Sequence, residues 1–316
     1  MKKLIEDIKN LILSSKGIII AAHIDPDGDT LGSMIGLALI IKKMGQKCVM
    51  YSPDGIPNTY HFLPRADEVV DSVPNEEFDL LITVDASDIS RIGGKRIKAK
   101  KIINIDHHPD NTNFGDINYV DMISAVAEQI FYLAQGFGVE VDAEIAEALY
   151  ISIITDTGNF RYSNTLPSTF GVARELVMRG ANPARAATSV YENRRIEGLK
   201  ILAKALLNVE ILNQGKVVYS VITSQMIIDT KARGEDLVGI IDHLRSVKTA
   251  EVAILMREEE KNKFKINFRS KGTVNVSNIA NALGGGGHVQ ASGCTVEGEL
   301  TDVKKRVLDL VLKEFK

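Results

Sequence analysis

Lys101-Ile102-Ile103-Asn104-Ile105-Asp106-His107-His108 is an apolar, β-branched run that ends in a carboxylate and two adjacent imidazoles. It reads as a buried strand that delivers polar groups at its carboxyl end. Three aspartate-bearing segments of similar shape surround it in sequence. His23-Ile24-Asp25-Pro26-Asp27-Gly28-Asp29 follows Ile18-Ile19-Ile20-Ala21-Ala22, and Val84-Asp85 follows Phe78-Asp79-Leu80-Leu81-Ile82-Thr83. Thr155-Asp156-Thr157-Gly158 follows Leu149-Tyr150-Ile151-Ser152-Ile153-Ile154. The four segments are expected to converge on one polynuclear metal site. Continuous rather than alternating apolar runs suit strands covered on both faces, the pattern of a parallel sheet. In such sheets ligands sit beyond the carboxyl ends of the strands, which is where the Asp and His residues fall.

Working outward, residues 2–14 repeat apolar positions at helical spacing, and 30–44 form a second helix that stops at Gly45. Residues 18–22, 47–51, 78–84 and 101–105 make four short strands. Residues 124–137 and 142–157 read as helices, so Asp156 closes a helix rather than a strand. Helices over 167–180 and 183–191 follow. Beyond them the pattern changes to a hairpin around Asn213-Gln214-Gly215, strands near 251–256 and 263–268, a short helix at 276–283, a strand near 294–296 and a closing helix at 303–315. The expected fold class is α/β. Residues 1–188 form a parallel-sheet catalytic domain, 189–205 a helical linker and 206–316 a smaller α+β substrate-binding domain, with the active site in the interdomain cleft.

The chain has 316 residues, 45% hydrophobic and 25% charged, with a net charge of −3. That length favours two domains, and the charge carries no basic signature for long nucleic acids. The run Lys95-Arg96-Ile97-Lys98-Ala99-Lys100-Lys101 reads as a solvated face. Cys48 and Cys294 lack disulfide or metal spacing and read as buried, reduced thiols. Glu6, Asp7 and Lys9 interrupt any signal core, and no apolar run approaches the roughly 20 residues of a membrane span. The expected setting is the cytoplasm, with no membrane partner.

The chemistry follows from crowding. His23, Asp27, Asp29, Asp85, Asp106, His107, His108 and Asp156 on one rim place many carboxylates together, which drives their pKa values up unless cations are present. Two divalent ions about 3.5–4 Å apart relieve that repulsion and are the arrangement used in phosphoryl transfer. Oxygen and imidazole donors without thiolate favour Mn²⁺, with Mg²⁺, Fe²⁺, Co²⁺ and Zn²⁺ as alternatives. Gly284-Gly285-Gly286-Gly287-His288 supplies amides for an anion nest, and His288 and Arg269 supply charge-assisted contacts.

On these motifs the sequence resembles the DHH phosphoesterase family, named for the triplet Asp106-His107-His108. Its C-terminal associated domain is matched by Phe268-Arg269-Ser270-Lys271 and by Gly284–His288 through Ala291-Ser292-Gly293. The resemblance implies that His23 and Asp27 hold one metal ion and that Asp29, His107 and Asp156 hold the second, with Asp85 bridging. It implies that His108 faces the scissile phosphate, that Asp106 fixes His107, and that a metal-bridging hydroxide attacks phosphorus. Substrate contacts are expected from Arg269, Ser270, Gly284, Gly285, Gly286, Gly287, His288 and Arg161. The implied activity is hydrolysis of short nucleotides (nanoRNA, pApA and pAp) by a homodimer. Cyclic di-AMP hydrolysis, inorganic pyrophosphate hydrolysis and a non-catalytic nucleotide-binding regulator are the alternatives. The last predicts loss of a ligand residue, and the six ligand residues are all present.

Overall fold

The computed structural model describes residues 1–73, 77–93 and 97–315, and the chain divides into two compact units, Met1–Asn193 and Arg194–Lys316. Lys95 and Arg96 of the basic run lie outside the described residues. Further along that run, Lys100 and Lys101 are exposed and pair with Asp79 and Asp116 at 2.7 Å each.

The first unit runs α1 (Lys2–Ser14), β1 (Ile18–Ala21), α2 (Gly28–Lys43), β2 (Cys48–Tyr51), β3 (Val69–Val70), β4 (Phe78–Val84), β5 (Ala99–Asp106), β6 (Ile117–Val120), α3 (Val126–Phe137), α4 (Ala143–Asp156), α5 (Pro167–Met178) and α6 (Pro183–Tyr191). Six strands form a parallel sheet in the order β3-β2-β1-β4-β5-β6. Four of them are the runs read from sequence. The other two are a two-residue strand and an edge strand, Ile117-Asn118-Tyr119-Val120, both too short and mixed to stand out. The chain winds outward from β1 through β3 and then crosses to β4 on the other side. The carboxyl ends of β1 and β4 therefore flank the switch point where open α/β sheets bind ligands.

One face of the sheet packs Ile18, Ile20, Ile82, Val84, Ile103 and Ile105 against α1–α4, and the other packs Ile19, Ala21 and Leu81 against Tyr51, Ala86, Ile92 and Ile97. Within this layer α2 and α4 are the most extensively packed pair of elements. Three glycines one helical turn apart make the approach possible. A Cβ on Gly28 would lie 2.5 Å from the Thr155 side chain, one on Gly32 2.4 Å from the Ala148 carbonyl, and one on Gly36 2.5 Å from Leu149. The start of α2 and the end of α4 are thereby pressed together, and each carries an aspartate of the candidate site.

The second unit runs α7 (Ile196–Leu207), β7 (Glu210–Leu212), β8 (Val217–Ile222), α8 (Ser224–Thr230), α9 (Ile240–Arg245), β9 (Val252–Glu260), β10 (Lys263–Ser270), α10 (Val276–Ala282), β11 (Gly286–His288), β12 (Ala291–Glu297) and α11 (Leu300–Lys313). Its mixed sheet has the order β11-β12-β10-β9-β8-β7, with one core against α10 and α11 and another against α7 and α9. The stretch 189–205 is helical on both sides of a break after Tyr191. Its second helix buries Ile201 and Ala205 within the core of the second unit. Both cysteines are free thiols, Cys294 buried and Cys48 half-buried. No helix among the described residues is long and apolar enough to cross a membrane.

Candidate metal centre

Each strand end of the first unit delivers its polar residue in a fixed attitude. His23 follows β1, and its Nδ1 lies 2.6 Å from the Ile24 carbonyl. Asp27 caps α2, its Oδ1 accepting the N–H groups of Asp29 and Thr30 at 3.0 Å each, an ordinary use of Asp at a helix start. Asp29, in the first turn, is buried. One of its oxygens accepts the hydroxyls of Ser33 and Ser152, and the other accepts the Val126 N–H at 3.0 Å. Asp85 leaves β4 with φ 57°, the left-handed region that Asp tolerates better than bulkier residues. Its Oδ2 accepts the Thr30 hydroxyl at 2.7 Å and its own N–H donates to Ile105. His107 follows β5 with Nδ1 3.0 Å from the Ile123 carbonyl. Half-buried Asp156 closes α4, and its Oδ2 accepts from Asn164 Nδ2 at 2.9 Å.

A carbonyl oxygen only accepts, so Nδ1 of both His23 and His107 carries the proton. The lone pair of each neutral ring is then on Nε2. Those two Nε2 atoms face carboxylates: His23 Nε2 is 3.4 Å from Asp85 Oδ2, and His107 Nε2 is 3.3 Å from Asp85 Oδ1 and 3.7 Å from Asp29 Oδ2. Lone pairs facing carboxylates in a buried site repel unless a positive charge stands between them. Single donor atoms of His23, Asp27 and Asp85, and separately of Asp29, Asp85 and His107, lie within 4.8 Å of one another. Asp85 belongs to both groups. The donors are oxygen and imidazole nitrogen, with rings oriented from behind by backbone carbonyls, and they fit divalent cations.

The electrostatics record the same need. Burial by itself lowers the His23 imidazole, but the hydrogen bond and charge of Asp85, joined by Asp27, outweigh it and push it up to about 9. In His107 burial is again overcome, by Asp85, Asp156 and Asp29, and the ring is raised well above its ordinary value. Burial works upward on Asp85, yet the two imidazoles hold it well below the usual carboxylate range. Asp29 is driven well above that range by burial and then by the charge of Asp85. Burial also raises Asp156, to about 6, with Asp85 and Asp27 adding to it.

The structure corrects one expectation about the triplet. Asp106 accepts from His108 Nδ1 at 2.8 Å, whereas His107 is held by Ile123, so Asp106 orients His108 rather than His107. Alternation along an extended chain explains it, because residues i and i+2 share a face and i+1 takes the other. His108 Nδ1 is also 3.6 Å from Asp85 Oδ1.

In the second unit the four glycines do not form a continuous nest. The N–H groups of Gly284 and Gly285 are taken by Asn281 and Ala280 at 3.0 and 2.8 Å, the usual end of a helix with glycine in the left-handed region. Gly286, Gly287 and His288 form the edge strand β11, paired with Gly293, Ser292 and Ala291. A Cβ on Gly285 would meet the Gly293 carbonyl at 2.1 Å, so that glycine is required by packing. Arg269 is half-buried, its Nη1 bound to its neighbour's carbonyl, and Ser270 is buried. Arg269 Nε and Ser270 Oγ have no hydrogen-bond partner among the described residues. Arg161 is exposed, with Nε on the Gly158 carbonyl.

Several contributors carry no signal in the sequence. Thr30, Ser33, Ser152 and Asn164 hold the aspartates, and Asn111 donates to both Asp106 and Asn104. A lone Ser, Thr or Asn in a helix or loop is too common to flag, and only Asn111, close behind the triplet, had a position that invited notice.

A parallel α/β unit with a carboxylate–imidazole centre at its switch point, followed by a separate mixed-sheet unit, defines a class of protein built to hold divalent cations. The chain belongs to the DHH family of phosphoesterases: residues 17–153 match the DHH family N-terminal domain and residues 214–316 the DHHA1 domain. The bifunctional oligoribonuclease and PAP phosphatase NrnA of Thermus thermophilus is 36% identical over 303 residues, covering 94% of this chain and 90% of that protein. The protein of the same name from Bacillus subtilis is 29% identical over 288 residues, covering 88% and 89%. An exopolyphosphatase-related protein from Bacteroides fragilis has a similar crystal structure, with a TM-score of 0.91 at 22% identity, covering 99% of this chain and 96% of that one. That likeness shows the fold.

Proposed function

We propose that this protein hydrolyses short oligoribonucleotides of the pApA type and dephosphorylates pAp, using two divalent ions, with Mn²⁺ the working metal. The observation that carries the metal-dependent reading is the facing of two Nε2 lone pairs onto one buried carboxylate, Asp85. The names of the two NrnA relatives support the substrate class. In this reading His23 and Asp27 hold one ion, Asp29, His107 and Asp156 hold the other, and Asp85 is shared. When bound, the ions supply Lewis acidity and water activation for in-line displacement at phosphorus.

The chain's own residues do the rest. Backbone carbonyls of Ile24 and Ile123 hold Nδ1 of each ring as the donor and aim Nε2 into the centre. The Asp106–His108 pair orients an imidazole whose role in this reading is to donate a proton to a phosphoryl or leaving-group oxygen. In the second unit, Arg269 and the glycine edge strand bind the nucleotide, through a guanidinium with an uncommitted Nε and a backbone edge without side-chain bulk.

Side-by-side rates with Mn²⁺ on pAp, pApA, a longer oligoribonucleotide, cyclic di-AMP and pyrophosphate test the proposal. We expect pAp and pApA to be turned over fastest. A preference for the cyclic dinucleotide or for pyrophosphate overturns the substrate assignment, and full activity in EDTA overturns the metal centre.

A further inference from the structure

Four consecutive residues, Ile123-Ser124-Ala125-Val126, lie outside the ligand set, yet their backbone groups reach two of its members directly and a third through Asn164. The Ile123 carbonyl takes Nδ1 of His107 at 3.0 Å. The Val126 N–H donates to Asp29 Oδ2 at 3.0 Å. The Ser124 carbonyl accepts Asn164 Nδ2 at 3.1 Å, and the same nitrogen lies 2.9 Å from Asp156 Oδ2. One turn thus sets a ring, a carboxylate at a helix start and a carboxylate at a helix end, delivered by three different parts of the chain.

What anchors that turn is a buried acid with no part in the chemistry described above. Glu128, in the first turn of α3, is 0% exposed. Its Oε1 accepts the hydroxyl of Ser124 and, at 2.9 Å, the hydroxyl of Thr169. Thr169 in turn accepts the Leu166 N–H at 3.0 Å, which ties the turn to the start of α5. Glu128 Oε2 has no hydrogen-bond partner among the described residues. A buried carboxylate is costly, and one used on a single oxygen more so. An apolar residue of similar size would serve packing alone at lower cost.

We infer that Glu128, acting through Ser124 and Thr169, is a positioning residue that presets His107, Asp29 and Asp156 for metal binding. The inference rests on the metal-centre reading proposed above. Its core is the acceptor oxygen Oε1, so Glu128→Gln retains the function and Glu128→Met removes it. Loss of a partner behind a ligand weakens metal affinity by about 10–100-fold.

The test is a competition titration of Mn²⁺ into metal-free full-length protein, beside urea unfolding midpoints. Glu128→Met and Ser124→Ala are expected to weaken the dissociation constant by about tenfold or more, with Glu128→Gln near wild type. Should Glu128→Met fail to fold, Thr169→Val against Thr169→Ser gives the same contrast, since only serine keeps the hydroxyl. If the wild type binds Mn²⁺ and these variants bind it within twofold while losing stability, Glu128 is merely structural and the inference falls. A wild type that fails to bind Mn²⁺ removes the metal-centre reading itself.

Discussion

Asp85 adopts φ 57° at the end of β4 and places both carboxylate oxygens against imidazole nitrogens. A left-handed conformation outside glycine costs on the order of 1–3 kcal/mol and persists where the surroundings over-determine it. Here Thr30 and the Ile105 carbonyl do so. Asp85→Asn keeps the shape and removes the charge, so hydrolysis and Mn²⁺ affinity should fall together, by about 100-fold or more, in steady-state rates and titrations. Asp106→Asn should separate the two. Because Asp106 holds His108, kcat should drop by about 100-fold while the Mn²⁺ dissociation constant moves little. Equal losses in both would restore Asp106 to His107. Asp79, away from the site, gives a pH signature. The Lys100 ammonium and the N–H groups of Lys16 and Gly17 hold it at about 2, below its ordinary 3.8. A depressed folded pKa stabilises above the unfolded value and loses that contribution as pH falls through the folded one. The stability gap between wild type and Asp79→Asn should therefore be open at pH 5 and close toward pH 2 in urea melts.

Among the elements, α2 and α4 matter most to the site. Gly28, Gly32 and Gly36 form a stripe along α2, and Gly32→Ala would force a methyl to within 2.4 Å of the Ala148 carbonyl. Backbone does not yield as a flexible side chain would, so the substitution should cost about 1–3 kcal/mol or more and weaken Mn²⁺ binding, measured by melting and titration. The stripe is visible in the sequence as Gly at i, i+4 and i+8, but small residues at that spacing do not say which helix they meet. The strand ends were legible because a continuous apolar run followed by Asp or His has few other uses. Asp106, His107 and His108 were legible as a group, and their division of labour follows from the two-residue alternation of an extended chain. Ser124, Glu128, Asn164 and Thr169 were not legible, because their roles arise from long-range contacts between ordinary polar residues.

For the molecule as a whole, all six proposed ligands lie in the first unit, Met1–Asn193, which has its own core. That unit expressed alone should bind Mn²⁺ and cleave a generic phosphodiester, while losing preference for pAp and pApA. Retained preference would move nucleotide selection out of the second unit. Arg269→Ala in the full chain should raise KM for pAp more than for the generic ester. The division into two units follows from length and from the change of strand pattern near residue 209. The edge strand at Gly286–His288 was harder to read, since four glycines suggest freedom, whereas two of them, Gly285 and Gly287, are required by the closeness of β12.

The flush contact of Gly28 with Thr155 has one more consequence. It brings the start of α2, with Asp27 as its cap and Asp29 in its first turn, flush against the end of α4 that carries Asp156. On the metal reading proposed above, the spacing of these carboxylates follows from helix packing. On the two-metal reading proposed above, Mn²⁺ should bind more tightly than Ca²⁺, whose oxygen distances of about 2.3–2.6 Å and preference for more ligands suit a frame that expands; titrating both ions into metal-free protein measures the difference. Amides of α2 and α4 should accordingly be among the slowest in the unit to exchange with solvent, with metal or without it.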